Sequence, residues 1–124
     1  MNLLAGEVAI VNFSSVGGLN AEEMASSAYM AAKAGVHAIT KAAAVQYGRQ
    51  GIRANAIAPG FTLTEVMSGI SPEMLETMVE KTALGRAGQS HDAAELAAFL
   101  VSDRASYITG TVIPVDGGWS AKLA

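Results

Sequence analysis

Tyr29 and Lys33 stand four residues apart in a stretch that reads as one helix, and residues at that spacing share a helix face. A phenol, with an ordinary pKa near 10, is a poor base at neutral pH. A cation about 4 Å away, at an effective dielectric of about 20, favours the phenolate by roughly 4 kcal/mol. Such a pair suits general acid/base work at an alcohol or ketone. A hydroxyl from Ser15, at the end of an apolar run, would complete a proton-relay site by hydrogen-bonding a substrate carbonyl or the alkoxide it becomes. The spacing Tyr-x-x-x-Lys alone is a weak signal, and the chemistry still needs a hydride carrier.

The elements that must position these residues are legible around them. Val8 to Phe13 is nearly continuously apolar and β-branched and ends in the turn formers Ser14 to Gly18, the pattern of a buried parallel strand. Ser27 to about Tyr47 reads as a long helix whose apolar face is Tyr29, Ala32, Val36, Ile39, Ala43 and Tyr47, with Gly48 and Gly51 at its end. Ile52 to Ala58 alternates as a second strand, stopped by Pro59-Gly60. Ser71-Pro72-Glu73 opens a short helix with Met74, Leu75 and Met78 on one side. Ser90-His91-Asp92 opens another, with an apolar stripe of Ala93, Leu96, Ala97 and Leu100. Thr111 to Val115 is a third strand, placed at the sheet edge by Pro114. The β-α-β-α-α-β order predicts a parallel sheet with helices on its faces, about three strands forming one half of a doubly wound α/β domain. In such sheets ligands collect beyond the carboxyl ends of the strands, here Ser14 to Gly18, Pro59 to Thr64 and Asp116 to Gly118.

The 124 residues are about half apolar and 15% charged, the make-up of a single globular domain spanning 1–124. The net charge of −3 is mild and the Lys and Arg residues are scattered, so nucleic acid is not an expected partner. Cysteine is absent, which excludes disulfides and thiolate metal sites and is compatible with a reducing cytoplasm. Met1 to Glu7 lacks the basic and apolar regions of a signal peptide, and no run approaches a membrane span, so the protein is read as cytoplasmic with no membrane partner.

Five blocks resemble the short-chain dehydrogenase/reductases in order and spacing. They are Ser15, Tyr29 to Val36, Gly51 to Gly60, Tyr107-Ile108-Thr109-Gly110 and Val115-Asp116-Gly117-Gly118. The resemblance implies a partial Rossmann-like fold, the later half of a family member, and an oxidoreductase that moves hydride between NAD or NADP and a secondary alcohol or ketone. It implies that Tyr29 is the catalytic acid/base, that Lys33 tunes it and bonds the nicotinamide ribose, and that Ser15 orients the substrate, with Ser14 the alternative if the register differs. Pro59, Gly60, Thr62 and Thr64 match a cofactor-binding segment, with Thr62 and Thr64 at the nicotinamide carboxamide and nearby phosphate. About Leu63 to Arg86 matches the variable substrate lid, whose Val66, Met67, Met74, Leu75 and Met78 suggest an apolar substrate face. A homo-oligomer is expected from the same resemblance.

The family's phosphate-binding turn, T-G-x-x-x-G-x-G, has no counterpart in these residues, nor do the ribose-reading residue and the asparagine of the catalytic tetrad. NAD and NADP are therefore not distinguished, and the isolated chain is expected to turn over poorly or not at all. The competing reading is a non-catalytic, truncated relative that acts as an oligomerising interaction module. His37 and His91 are expected in solvent-exposed or capping roles, so no metal is expected. Gly17-Gly18 is read as a turn, Met67, Met74 and Met78 as packing residues of a mobile lid, and Trp119 as a packing or subunit-contact residue.

Overall fold

The computed structural model describes residues 8–123; the leader reading of residues 1–7 lies outside the described residues. The regular elements are β1 (Val8–Phe13), α1 (Ser27–Tyr47), β2 (Ile52–Pro59), β3 (Thr62–Leu63), α2 (Pro72–Glu80), β4 (Gly88–Gln89), α3 (Ser90–Val101) and β5 (Val112–Val115). β1, β2 and β5 form a parallel sheet in the order β1-β2-β5, as the alternation of elements predicts. Pro114 sits on a strand that pairs on one side only among the described residues, where its missing N–H does no harm. β3 and β4 make a separate two-residue parallel ladder, Thr62 to Gly88 and Leu63 to Gln89, too short to show any alternation in sequence.

Capping explains the helix starts. The Ser26 hydroxyl accepts from the Tyr29 N–H at 3.1 Å, and the Ser71 hydroxyl accepts from Met74 N–H at 3.2 Å with Pro72 in the first turn. α3 is capped from Gln89, whose N–H donates to the Asp92 carboxylate at 2.7 Å. After α1, Gly51 takes a left-handed φ of 83°, which glycine adopts without steric cost, and turns the chain into β2.

Successive strand residues point to opposite faces of the sheet, and the two faces carry different helices. Val11 packs into a cluster with Ile57, Ala93, Leu100 and Ala105 on the α3 side, whereas the next residue, Asn12, donates to the Thr40 hydroxyl of α1 at 3.0 Å. Arg53 and Asn55 also serve the α3 side. The Arg53 guanidinium donates to the carbonyls of Leu100 at 2.9 Å and Ser102 at 3.1 Å, closing the end of that helix, and the Asn55 amide donates to Ile108 O at 2.9 Å. A second cluster of Phe61, Met78 and Ala87, with Met67, Met74, Leu75 and Trp119 against it, holds α2 over the strand ends.

Three expectations are corrected. The packed face of α1 is Met30, Lys33, His37, Thr40 and Ala44, while Tyr29, Ala32, Ile39 and Tyr47 of the expected stripe are exposed. The reason lies in what the sheet offers. Ala54, Ala56 and Ala58 are fully buried and small, which permits close approach of the helix, and Asn12 and Ser14 of the first strand and its loop need polar partners, which Thr40 and His37 supply. His37 is accordingly buried rather than in a solvent-exposed role. Finally, β1 is only partly buried: Ile10 and Phe13 are exposed because one edge of that strand carries no partner among the described residues.

Candidate active site

Three loops meet beyond the carboxyl ends of the strands. After β1 the chain makes a single 3-10 turn, Val16–Gly18, and the Ser15 hydroxyl caps it by accepting the Gly17 N–H at 3.1 Å. That bond uses a lone pair and leaves the Ser15 O–H without a protein acceptor among the described residues. The turn is seated directly on α1 because residue 18 is glycine. A Cβ there would lie 2.7 Å from the Lys33 carbonyl carbon, 2.8 Å from His37 Cε1 and 2.9 Å from Ala34 N.

A cleft of about 810 Å³ opens at this edge, within the size range of small-molecule sites. Ser15, Tyr29, Pro59, Gly60, Thr62 and Thr64 all line it. Lys33 lies behind, its Nζ 5.7 Å from the centre of the Tyr29 ring. The far wall is apolar, made by Met67, Ile70, Met74, Met78 and Trp119. Of the five residues expected on an apolar substrate face, Met67, Met74 and Met78 line it, whereas Leu75 packs into the neighbouring cluster and Val66 is exposed; Trp119, expected to pack, joins the wall. Ser14 also touches the cleft, but its hydroxyl donates to Ile57 O at 3.2 Å and meets His37 Nε2, which leaves Ser15 the more available of the two.

Burial pushes the His37 pKa below its ordinary value; the Gly18 backbone acts in the opposite sense, and Lys41 adds to the lowering. At Asp116 burial pushes the pKa up, yet hydrogen bonds from Ser120 and Gly118 outweigh it and hold the carboxyl below the usual range. Asp116 accepts from Gly118 N–H at 3.0 Å and Ser120 N–H at 2.8 Å, and it backs the β2 turn so closely that a Cβ on Gly60 would lie 2.6 Å from its Cβ. Asp116 thus buttresses Pro59-Gly60 from behind. His91 is exposed beside Asp92, whose carboxyl is held at about 2 by hydrogen bonds from Arg86 and the Gln89 backbone. Among the described residues no three His, Cys, Asp or Glu side chains come together, and no helix is long and apolar enough to cross a membrane.

Of the cleft residues that escaped the sequence reading, Glu22 is the one that carries a charge. A Cβ built on Gly17 would stand 3.2 Å from Glu22 Oε2 and 3.5 Å from both Ser15 Oγ and Tyr29 Cε1, so a carboxylate shares the point on which the two hydroxyl-bearing residues converge. The only signal was the pair Glu22-Glu23 between Ser15 and Tyr29, and loop charges are ordinarily solvated.

Comparisons with known proteins agree with this architecture. The family model described as Enoyl-(Acyl carrier protein) reductase matches residues 1–120. The chain is 44% identical over 117 residues to cis-4-hydroxycyclohexanecarboxylate dehydrogenase of Sinomonas cyclohexanicum, covering 94% of this chain and 47% of that protein. Among solved structures, a short-chain type dehydrogenase/reductase from Mycobacterium ulcerans superposes with a TM-score of 0.89 at 35% identity, covering 94% of this chain and 43% of the other. 4-Hydroxyisoleucine dehydrogenase complexed with NADH superposes with a TM-score of 0.81 at 37% identity, covering 93% and 47%. The chain therefore spans about half the length of the relatives it matches.

Proposed function

Because the chain belongs to the short-chain dehydrogenase/reductase family, we propose that it carries the catalytic centre of an NAD- or NADP-dependent oxidoreductase interconverting a secondary alcohol and a ketone. The observation that supports this most directly is the placing of Ser15 and Tyr29 on one cleft with Lys33 against the Tyr29 ring. In the direction of reduction, the Tyr29 phenol gives its proton to the substrate oxygen, and the Ser15 O–H donates a hydrogen bond to that same oxygen. The Lys33 ammonium stabilises the phenolate left behind. In the reverse direction the phenolate takes the proton from the alcohol.

The residues at the strand ends fit the nicotinamide half of a dinucleotide. Asp116 packs closely behind Gly60 at the β2 end, and Pro59, Gly60, Thr62 and Thr64 line the cleft there beside Tyr29. Tyr29 and Lys33 would hold the ribose, and Pro59, Gly60, Thr62 and Thr64 the carboxamide and nearby phosphate. When bound, the nicotinamide supplies or accepts the hydride. The apolar wall and the absence of cysteine are in keeping with a small, partly apolar substrate and a cytoplasmic setting.

The test is single-turnover oxidation of secondary alcohols, with the chain in excess over NAD or NADP because slow turnover is expected. Tyr29→Phe should lower the rate at least about a hundredfold, the scale of a lost acid/base group. An unchanged rate would refute the assignment. A second reading, an interaction module that pairs copies of the chain, is favoured by Ile10 and Phe13 at the open strand edge and by Ile39 and Val45 on the outer face of α1. Stable association without dinucleotide binding, read by sedimentation and titration, would favour it.

A further inference from the structure

Glu22 is half-buried and presents its carboxylate where the Ser15 hydroxyl and the Tyr29 ring converge, each within 3.5 Å of the position a Gly17 Cβ would occupy. Its backbone N–H is tied to Met30 Sδ of α1 at 3.4 Å, which fixes the loop that carries it. Among the described residues no Lys, Arg or His lies within ion-pair distance of it, so the carboxylate has no cationic partner at an edge of the cleft otherwise rich in Met and aromatic side chains. A carboxylate in that setting gains from a hydrogen-bond donor brought by the ligand.

We infer that Glu22 is a specificity-determining residue that selects neutral substrates bearing a second hydroxyl close to the reacting carbon, that is, diols and polyols. The inference rests on the proposed alcohol/ketone chemistry at Ser15 and Tyr29. An oxygen bound between those two residues leaves a neighbouring hydroxyl, on the adjacent carbon or the next, within hydrogen-bond reach of the carboxylate, about 2.5–3.0 Å between oxygens. A carboxylate on the substrate at that point would meet like charge. A substrate ammonium has less to gain than the carboxylate alone suggests. The adjoining recess of about 550 Å³, which Glu22 also lines, carries Lys81 and Lys122 beside Glu23, so its charged lining is two carboxylates and two cations, with no ion pair formed to Glu22 among the described residues.

Three probes differing at one position test this: cyclohexanol, cis-1,2-cyclohexanediol and 2-aminocyclohexanol, with affinities measured by ligand-observed NMR on the unaltered chain, Glu22→Ala and Glu22→Gln. The diol should bind the unaltered chain about tenfold tighter than cyclohexanol, as expected for one hydrogen bond to a charged acceptor. Glu22→Ala should abolish that advantage and leave cyclohexanol unchanged, and Glu22→Gln, which keeps an acceptor oxygen, should retain part of it. The inference is overturned if the unaltered chain shows no diol preference, if the preference survives in Glu22→Ala, if both alcohols weaken equally, or if the amino alcohol binds best. A Glu22-dependent diol preference in a chain that transfers no hydride would count against the catalytic reading alone.

Discussion

His37 illustrates how one side chain links the fold to the site. It is buried between α1 and the loop that carries Ser15, bonded to Ser14, with its ring in contact range of the Gly18 position. Burial lowers its pKa below 6.5, so the folded chain holds it neutral. Above pH 6.5 both folded and unfolded chains carry the neutral ring, and its contribution to stability is fully present. As pH falls through 6.5 towards the lower folded value, the unfolded chain takes up the proton first and stability is lost. Asp92 and Asp116 act in a different window. Their folded values are depressed, so their contributions persist above 3.8 and disappear only in stronger acid. The urea midpoint should therefore drop between about pH 7.5 and about pH 5.5, and His37→Gln should flatten that drop. An equal drop in both proteins would remove His37 from the account.

At the level of elements, the decisive contact is the 3-10 turn against α1. Gly18 faces helix backbone, which cannot yield as the tip of a flexible side chain can, so Gly18→Ala must push the Ser15 turn away from α1. The expected loss is about 1–3 kcal/mol in denaturant unfolding, the usual scale for overpacking. Gly17→Ala is a different case, although the two glycines are adjacent. Its methyl meets the Glu22 carboxylate tip at 3.2 Å and otherwise stands in ordinary contact with Ser15 and Tyr29. It should leave the unfolding midpoint nearly unchanged while weakening diol binding, because the methyl narrows the gap shared by the Glu22 carboxylate, Ser15 and Tyr29. Parallel unfolding and NMR titrations of the two variants separate these effects.

Over the whole molecule, the sheet is well covered in its middle and open at one side. β2 is buried along its length, with Ala54 and Ile57 wholly inaccessible, whereas Ile10 and Phe13 of β1 are exposed beside an edge that pairs with nothing among the described residues. Apolar open edges template pairing with other chains. Ile10→Lys should reduce concentration-dependent association in sedimentation without lowering the unfolding midpoint by more than about 1 kcal/mol, since residue 10 is already partly in water. Unaltered association in Ile10→Lys would direct attention to the outer face of α1.

Sequence alone placed the three α-helices, the three strands of the main sheet and the loops that border the cleft, but not the two-residue ladder of β3 and β4. β-Branched runs, the Ser71 cap, the glycines at helix ends and Pro114 are local signals, and local sterics and hydrogen bonding suffice to place strands, helices and an edge strand. The spacing of Tyr29 and Lys33 likewise implied a shared helix region beside Ser15. Tertiary structure alone decided which face of α1 turns inward, which serine keeps a free hydroxyl, and that Glu22 reaches the cleft. An alanine-rich helix has weak amphipathicity, so its rotation is set by what the sheet presents: small alanines on β2, and Asn12 and Ser14 requiring partners. A loop carboxylate has no periodicity at all, and its position follows from where Gly17 and Gly18 let the backbone pass.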